Sequence, residues 1–280
     1  MRRPPLTRPA ALVLGLVLAL AATTAVPPPS AAREAGAGWS LGPRLSEAVA
    51  SVLARAVSPP GPYRQNLFER GDFVHQQTAW WCVAASVQMM MNMLAPGPPD
   101  RSRALQRRLH FQARALDREG DAYWRRLAGE ERWRKGLHGL GLDDWSGLLD
   151  ARGFGPYRLA RAGSRAAAIR KAARAIRLTG RPVGLVVWRG AHAWVMSGFK
   201  ADRDPAFSAD FRVRKVFVSD PWYPTVSSIW GRSPRPNTAM TVKALANDFL
   251  PYDRPGRRHP WRDGRFLLIL PELPASNAAG

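Results

Sequence analysis

The sequence has few residues of several types, and each shortage limits the possible functions. Cys82 is the one cysteine among 280 residues, so no disulfide can form within the chain. The apolar stretch Ala10–Ala22, at about 13 residues, is shorter than the roughly 20 that a helix needs to cross a bilayer. One cysteine and 5 histidines show no metal-ligand spacing. A helix-turn-helix, zinc or RNA-binding signature is also missing, so we expect no metal, no cofactor and no specific nucleic-acid partner.

Acidic residues are scarce relative to basic ones. The chain has 21 Asp and Glu against 42 Lys and Arg, a formal net charge of +21. Such an excess favours anionic partners, for example a cell-wall polymer or a membrane surface. Compositional bias is an equally weighted alternative, because arginine far outnumbers lysine and because alanine and proline are abundant.

The N-terminus predicts export. Arg2 and Arg3 supply a basic start, the apolar stretch follows, and small residues then offer cleavage sites. We therefore expect a secreted protein, either extracellular or associated with the cell wall. The chain is expected to divide into a signal peptide (1–32), a linker or propeptide-like segment ending in prolines (33–62), one domain (63–273) with a helical insertion (99–139), and a tail (274–280).

The domain predicts helices first and strands second, which is an α+β arrangement. Apolar residues at helical intervals predict helices over 81–94, 142–151 and 165–178, and two or three more with arginine-covered outer faces over 99–139. Short β-branched and aromatic runs predict strands over 183–188, 192–199, 212–219 and 266–270.

Cys82 begins the first predicted helix. The N–H groups and the dipole at a helix N-terminus favour the thiolate, which is the nucleophilic form of cysteine. Gln76 precedes Cys82 by six residues, and its side-chain amide could join the Cys82 backbone N–H in an oxyanion hole. A buried structural thiol is the alternative for a lone cysteine.

His192 and Asp220 stand at the ends of two predicted strands. His192 begins one strand among small residues, whereas the other histidines lie in charged helices, in a proline-rich loop or beside Gln76. Asp220 ends the next strand, where Pro221 stops it. A carboxylate beside an imidazole orients the ring and stabilises its charged form. The loop 200–211 holds three further aspartates, and Asp220 is preferred over them because a strand end is better fixed than a loop.

The segments WWCVAAS, HAWVMSGF and VSDPWYP, in this order, resemble the peptidase C39-like group of papain-like proteins. The likeness covers roughly residues 63–270, and it departs from the group at Val83, in a long hairpin and in the arginine-rich insertion. It implies a papain-like fold, with the catalytic cysteine on a central helix that packs on an antiparallel sheet carrying the histidine and the acid. By this resemblance Cys82 is the nucleophile, His192 the base, Asp220 the orienting acid and Gln76 the oxyanion-hole donor.

The resemblance also implies an activity. We expect a secreted, monomeric cysteine peptidase that hydrolyses peptide bonds in peptides or proteins through an acyl-enzyme intermediate, with Trp81, Trp194 and Trp222 contacting the substrate. Two alternatives stay open. One is a catalytically silent module that binds peptides or anionic wall polymers, and the other is a Cys-His-Asp acyltransferase.

Overall fold

A computed structural model describes residues 61–116, 118–254 and 260–272. The predicted signal peptide, the predicted tail and all but the last two residues of the predicted linker lie outside these ranges. The described residues belong to one unit, Ser51–Gly280. No helix within them has the length and the apolar character needed to cross a membrane.

One antiparallel sheet forms the centre of the described domain. Its strand order is β2-β9-β3-β4-β5-β8, with β1 paired to β4, and β6 and β7 form a separate two-stranded hairpin. The strands are β1 (Tyr63–Asn66), β2 (Tyr157–Ala162), β3 (Val183–Val187), β4 (His192–Ala201), β5 (Val213–Ser219), β6 (Val226–Ser227), β7 (Gly231–Arg232), β8 (Thr238–Thr241) and β9 (Phe266–Pro271).

Helices cover both faces of this sheet. In the described ranges they are α1 (Cys82–Leu94), α2 (Arg103–Leu116), α3 (Arg118–Ala128), α4 (Glu130–Arg134), α5 (Leu142–Ala151), α6 (Arg165–Thr179) and α7 (Val242–Leu245). Side chains of β4 alternate between two hydrophobic clusters: Val195 packs with α1, α2 and α5, whereas Trp194 packs with α6. Because both faces are covered, every residue of β3 and β9 is buried.

The general class predicted from the sequence, helices with an antiparallel sheet, agrees with the structure. The predicted helices and strands are confirmed within a few residues, including the end of α6 at Gly180, which adopts φ 66°. The expectation of helices first and strands second is only partly right. Strand β1 precedes α1, and β2 lies between α5 and α6.

The segment 99–139, expected to be an insertion, is built into the core. Leu105 and Leu109 of α2 are buried in the cluster formed by α1 and α5. The side chain of Gln106 donates to the backbone of His75 and accepts from the backbone N–H of Gln77, at 3.1 and 2.8 Å. Helix α2 therefore stabilises the chain segment that leads into α1.

Candidate active site

The end of β3, the start of β4 and the end of β5 lie together at one end of the sheet. Strand β3 ends at Val187, opposite His192 at the start of β4, and β5 ends at Ser219, opposite Val195. A short 3-10 turn, Trp188–Gly190, reverses the chain between β3 and β4. Asp220 follows Ser219 directly, so the antiparallel register places the predicted histidine and the predicted acid side by side.

His192 and Asp220 form a buried pair. The Nε2 atom of His192 lies 2.6 Å from Oδ1 of Asp220, and their side chains are 5% and 0% exposed. The same carboxylate oxygen accepts the backbone N–H of Trp222 at 2.8 Å, which fixes the orientation of the carboxylate. This oxygen therefore holds the imidazole in one position.

The three other candidate acids lie elsewhere. Asp204 forms an ion pair with Arg177 at 2.8 Å, and Asp202 accepts the backbone N–H of Arg212 at 2.7 Å. Asp210 is exposed at the surface of the loop. Asp220 is the aspartate that faces His192.

Cys82 is the third residue of the predicted Cys-His-Asp group. Its side chain lines the same cleft as His192 and is close enough to influence the pKa of that imidazole. Since Asp220 occupies Nε2, Nδ1 is the ring nitrogen left for the sulfur. Burial lowers the pKa of His192, but the hydrogen bonds to Asp220 and Cys82 and the negative charges of both outweigh it and raise that pKa to about 9. A protonated imidazole at neutral pH is the partner that a thiolate requires.

The N-terminus of α1 is open around Cys82. Trp81 is the N-cap residue, and within the described chain its side chain caps no N–H group of the helix. Ala84 and Ala85 are fully buried, and Ser86 donates to the backbone oxygen of Ala193 at 3.4 Å. These small residues let α1 pack closely against β4, and the backbone N–H of Cys82 is available to an oxyanion.

Gln76 lies in a buried corner beside the acid. Its backbone N–H donates to the oxygen of Pro221 at 2.8 Å, and Nε2 donates to the oxygen of Thr78 at 2.7 Å. The side chain is 1% exposed, and Oε1 has no hydrogen-bond partner in the described part of the chain. An amide nitrogen carries two protons, so the bond to Thr78 leaves a second N–H, although Gln76 is not among the residues that line the cleft containing Cys82 and His192.

The structure corrects two of the expected substrate contacts. Trp81 is 5% exposed, donates from Nε1 to the oxygen of Gly136 at 2.7 Å and stacks on His110. Trp194 is fully buried in the cluster on the α6 side of the sheet. Both side chains are part of the core, because the pleat of β4 and the start of α1 point them inward. Trp222 is half-buried against the α6-side cluster.

Trp188 is the closest aromatic neighbour of the histidine. Its ring stacks on His192 with centroids 4.2 Å apart, and Trp230 stacks on its other face. Its Nε1 donates to Asp248 at 2.9 Å. Trp188 and Arg189 both have positive φ, 54° and 58°, which is unfavourable for residues with side chains of this size. The fold retains this strain at a position where the ring shields the His192–Asp220 pair.

A cleft of about 280 Å³ lies in front of Cys82 and His192. Sequence reasoning missed most of its walls, because they come from distant parts of the chain. One wall consists of Trp80 and of residues from α3, namely Tyr123, Trp124 and Leu127, and another includes Tyr252, Arg254 and Arg262. Leu127 is 62% exposed and Trp80 39%, so part of the apolar wall faces solvent.

No protein-family model matches this chain, and no curated protein shows significant similarity to it. The resemblance to the peptidase C39-like group therefore depends on the three motifs and their order. Within the residues that the structure describes, no cluster of three or more His, Cys, Asp or Glu side chains could hold a metal ion.

Proposed function

We propose that the protein is a papain-like cysteine hydrolase of the C39-like kind, which cleaves amide bonds in peptides. The supporting observation is that Cys82, the first residue of α1, lines one cleft with His192, and that His192 is hydrogen-bonded to the buried Asp220. A merely structural cysteine has no need of a buried imidazole that a carboxylate keeps protonated.

The chemistry follows from this arrangement. The Cys82 thiolate attacks the amide carbonyl carbon, forming an S–C bond, while the carbonyl oxygen gains a negative charge. The Cys82 backbone N–H and the spare N–H of Gln76 bind that oxyanion. The His192 imidazolium then donates its Nδ1 proton to the leaving nitrogen as the C–N bond breaks.

Hydrolysis of the thioester restores the enzyme. His192, now neutral, takes a proton from water, and the hydroxide attacks the thioester carbon. The S–C bond then breaks, the acid product leaves, and the thiolate–imidazolium pair forms again. Asp220 holds the ring in place and stabilises its charged form in both halves of the cycle.

The proposal includes a location. Residues 1–32 have the composition of an export signal, so the peptidase would act outside the cytoplasm, as a monomer and without a cofactor. Residues 1–32 hold three of the basic residues and no acid, so the net charge falls from +21 to +18 without them, which would still keep the protein close to anionic surfaces such as a cell wall or a membrane.

A peptide-library digest tests the activity. The wild-type protein is expected to cleave a subset of peptides, and Cys82→Ala should abolish cleavage while circular dichroism shows an unchanged fold. Arg170→Ala, which removes an exposed arginine on α6, serves as the surface control and should cleave like the wild type. Cleavage that persists in Cys82→Ala would refute the proposal.

Two other results would favour the alternatives. Stable peptide binding without cleavage, together with slow alkylation of Cys82, would indicate a silent binding module. Incorporation of an added amine into the acyl product, in preference to hydrolysis, would indicate an acyltransferase.

A further inference from the structure

Apart from the proposed Cys82 thiolate, which the protonated His192 neutralises, the charges of the cleft are positive. Among the described residues that line it, the charged side chains are Arg254, Arg262 and the protonated His192, and none is Asp or Glu. The other lining residues are small, aliphatic or aromatic. A cleft with cationic and apolar walls attracts a substrate that is partly anionic and partly apolar.

The two arginines differ in how far their charge is neutralised. Arg262 donates to Asp143 at 2.6 Å, so a carboxylate already pairs with it. Arg254 is exposed, and no acidic side chain of the described ranges is within ion-pair distance of it. The neighbouring Asp253 is paired with Arg189 instead, at 3.4 Å. Arg254 thus carries the uncompensated charge in the cleft.

Gly190 fixes the position of Arg254. This residue has φ 94°, and a Cβ placed on it would come 2.5 Å from the ring of Tyr252 and 3.2 Å from Cγ of Arg254. The stem of Arg254 therefore rests on the turn two residues before His192. Arg254 therefore lines the same cleft as His192 and Cys82.

We propose that this cleft selects amide substrates that carry a carboxylate near the bond to be cleaved, and that Arg254 binds this carboxylate. The inference rests on the proposed hydrolase function and names its substrate class. A planar guanidinium with several N–H donors is well suited to a carboxylate. The carboxylate can belong to an acidic side chain or to the C-terminus of a peptide, and the experiment below separates these two sources.

A pair of alkylating reagents tests the charge without any knowledge of the substrate. Iodoacetate and iodoacetamide differ in one group, carboxylate against amide, and in both cases the Cys82 thiolate displaces iodide to form an S–C bond. The ratio of their rates measures the attraction of an anion to the sulfur. We expect this ratio to be higher in the native protein than in the urea-unfolded chain, and to fall as salt screens the charges.

Two substitutions assign this attraction to Arg254. Arg254→Ala should lower the ratio about two- to fivefold, the range for exposed charge pairs, and Arg254→Glu should lower it further. Arg170→Ala removes the same charge on the α6 side of the sheet and should leave the ratio unchanged. An equal ratio in the wild type, Arg254→Ala and Arg254→Glu would overturn the inference.

Matched peptides test the substrate class. One set exchanges Asp for Asn at each position near the cleavage site, and another exchanges a free C-terminal carboxylate for an amide. One of the two sets varies the carboxylate that Arg254 binds. In that set we expect the peptide with the carboxylate to have a kcat/KM about tenfold higher than its neutral partner. That preference should disappear in Arg254→Ala and persist in Arg170→Ala.

Failure of the inference and failure of the function give different results. Equal cleavage of anionic and neutral peptides, lost in Cys82→Ala, would overturn the substrate class and leave the hydrolase intact. If neither reagent labels native Cys82 faster than the unfolded chain and no peptide is cleaved, the hydrolase proposal itself is wrong, and the inference with it.

Discussion

The buried His192–Asp220 pair predicts a specific pH dependence of stability. In the unfolded chain a histidine titrates near 6.5, whereas in the folded protein the pKa of His192 is raised to about 9. At His192 the folded state therefore binds more protons than the unfolded state between these two values. A thiolate at Cys82 has the opposite effect, because the unfolded thiol is protonated, so the contribution of His192 is measured in a Cys82→Ala background. The resulting stabilisation is complete below pH 6.5, and it is lost as the pH rises through about 9.

The size of this effect follows from the two pKa values. A rise from 6.5 to about 9 corresponds to about 3 kcal/mol of unfolding free energy, which is the upper limit for Cys82→Ala because Cys82 contributes part of the rise. The side chain of His192 is 5% exposed, so solvent screening reduces this figure little. In Asp220→Asn the charge that raises the pKa is removed, but an oxygen remains to contact the ring. We expect the loss of stability over the same pH range to shrink to about half or less.

Urea unfolding at closely spaced pH values between 6 and 10 measures this difference. Cys82→Ala and the double variant Cys82→Ala/Asp220→Asn are compared at each pH, so that no thiol titrates and the groups that titrate alike in both proteins cancel. His110, whose pKa burial lowers to about 3, is one such group. A stability of Cys82→Ala that rises with pH over this range, or parallel curves for the two proteins, would refute the assignment of an imidazole that Asp220 keeps protonated.

Three further substitutions have expected outcomes. Gln76→Ala should lower kcat about 100-fold with a smaller change in KM, because an oxyanion donor is lost. A larger effect on KM than on kcat would argue against this role of Gln76. Trp188→Phe keeps a ring over the histidine but loses the bond to Asp248, so NMR should show a smaller change in the pKa of His192 than for Trp188→Leu. Gly190→Ala should lower the free energy of unfolding by about 1–3 kcal/mol, because the added Cβ is unfavourable at a positive φ and would contact the ring of Tyr252. An unchanged melting temperature would contradict this.

The central parts of the fold could be predicted because their signals are local. Helix α6 has Ser164 as N-cap and Gly180 as C-cap, and β3 is a short, continuously apolar run between polar turns. The positions of Cys82, His192 and Asp220 at element ends could be inferred in the same way. The antiparallel register of β3, β4 and β5 then brings these ends together.

Other features depend on contacts that no local pattern encodes. Strand β1 is four residues long and pairs with the second half of β4, and the edge strand β2 contains two exposed arginines, Arg158 and Arg161. The aromatic wall of the cleft belongs to helices whose charged sequence indicated only a solvent-facing surface. Arg254 reaches the cleft because Gly190, far away in sequence, has no side chain.

The proposed mechanism requires the sulfur of Cys82 to react as a thiolate held by His192. The decisive measurement is the rate at which iodoacetamide labels Cys82 at pH 6, in the native wild type, in His192→Ala and in the urea-unfolded chain. Native Cys82 is predicted to react about tenfold or more faster than the unfolded chain, because an ordinary thiol is almost wholly protonated at that pH, and His192→Ala is predicted to lose this advantage. Native labelling no faster than that of the unfolded chain, or an undiminished rate in His192→Ala, would contradict the account.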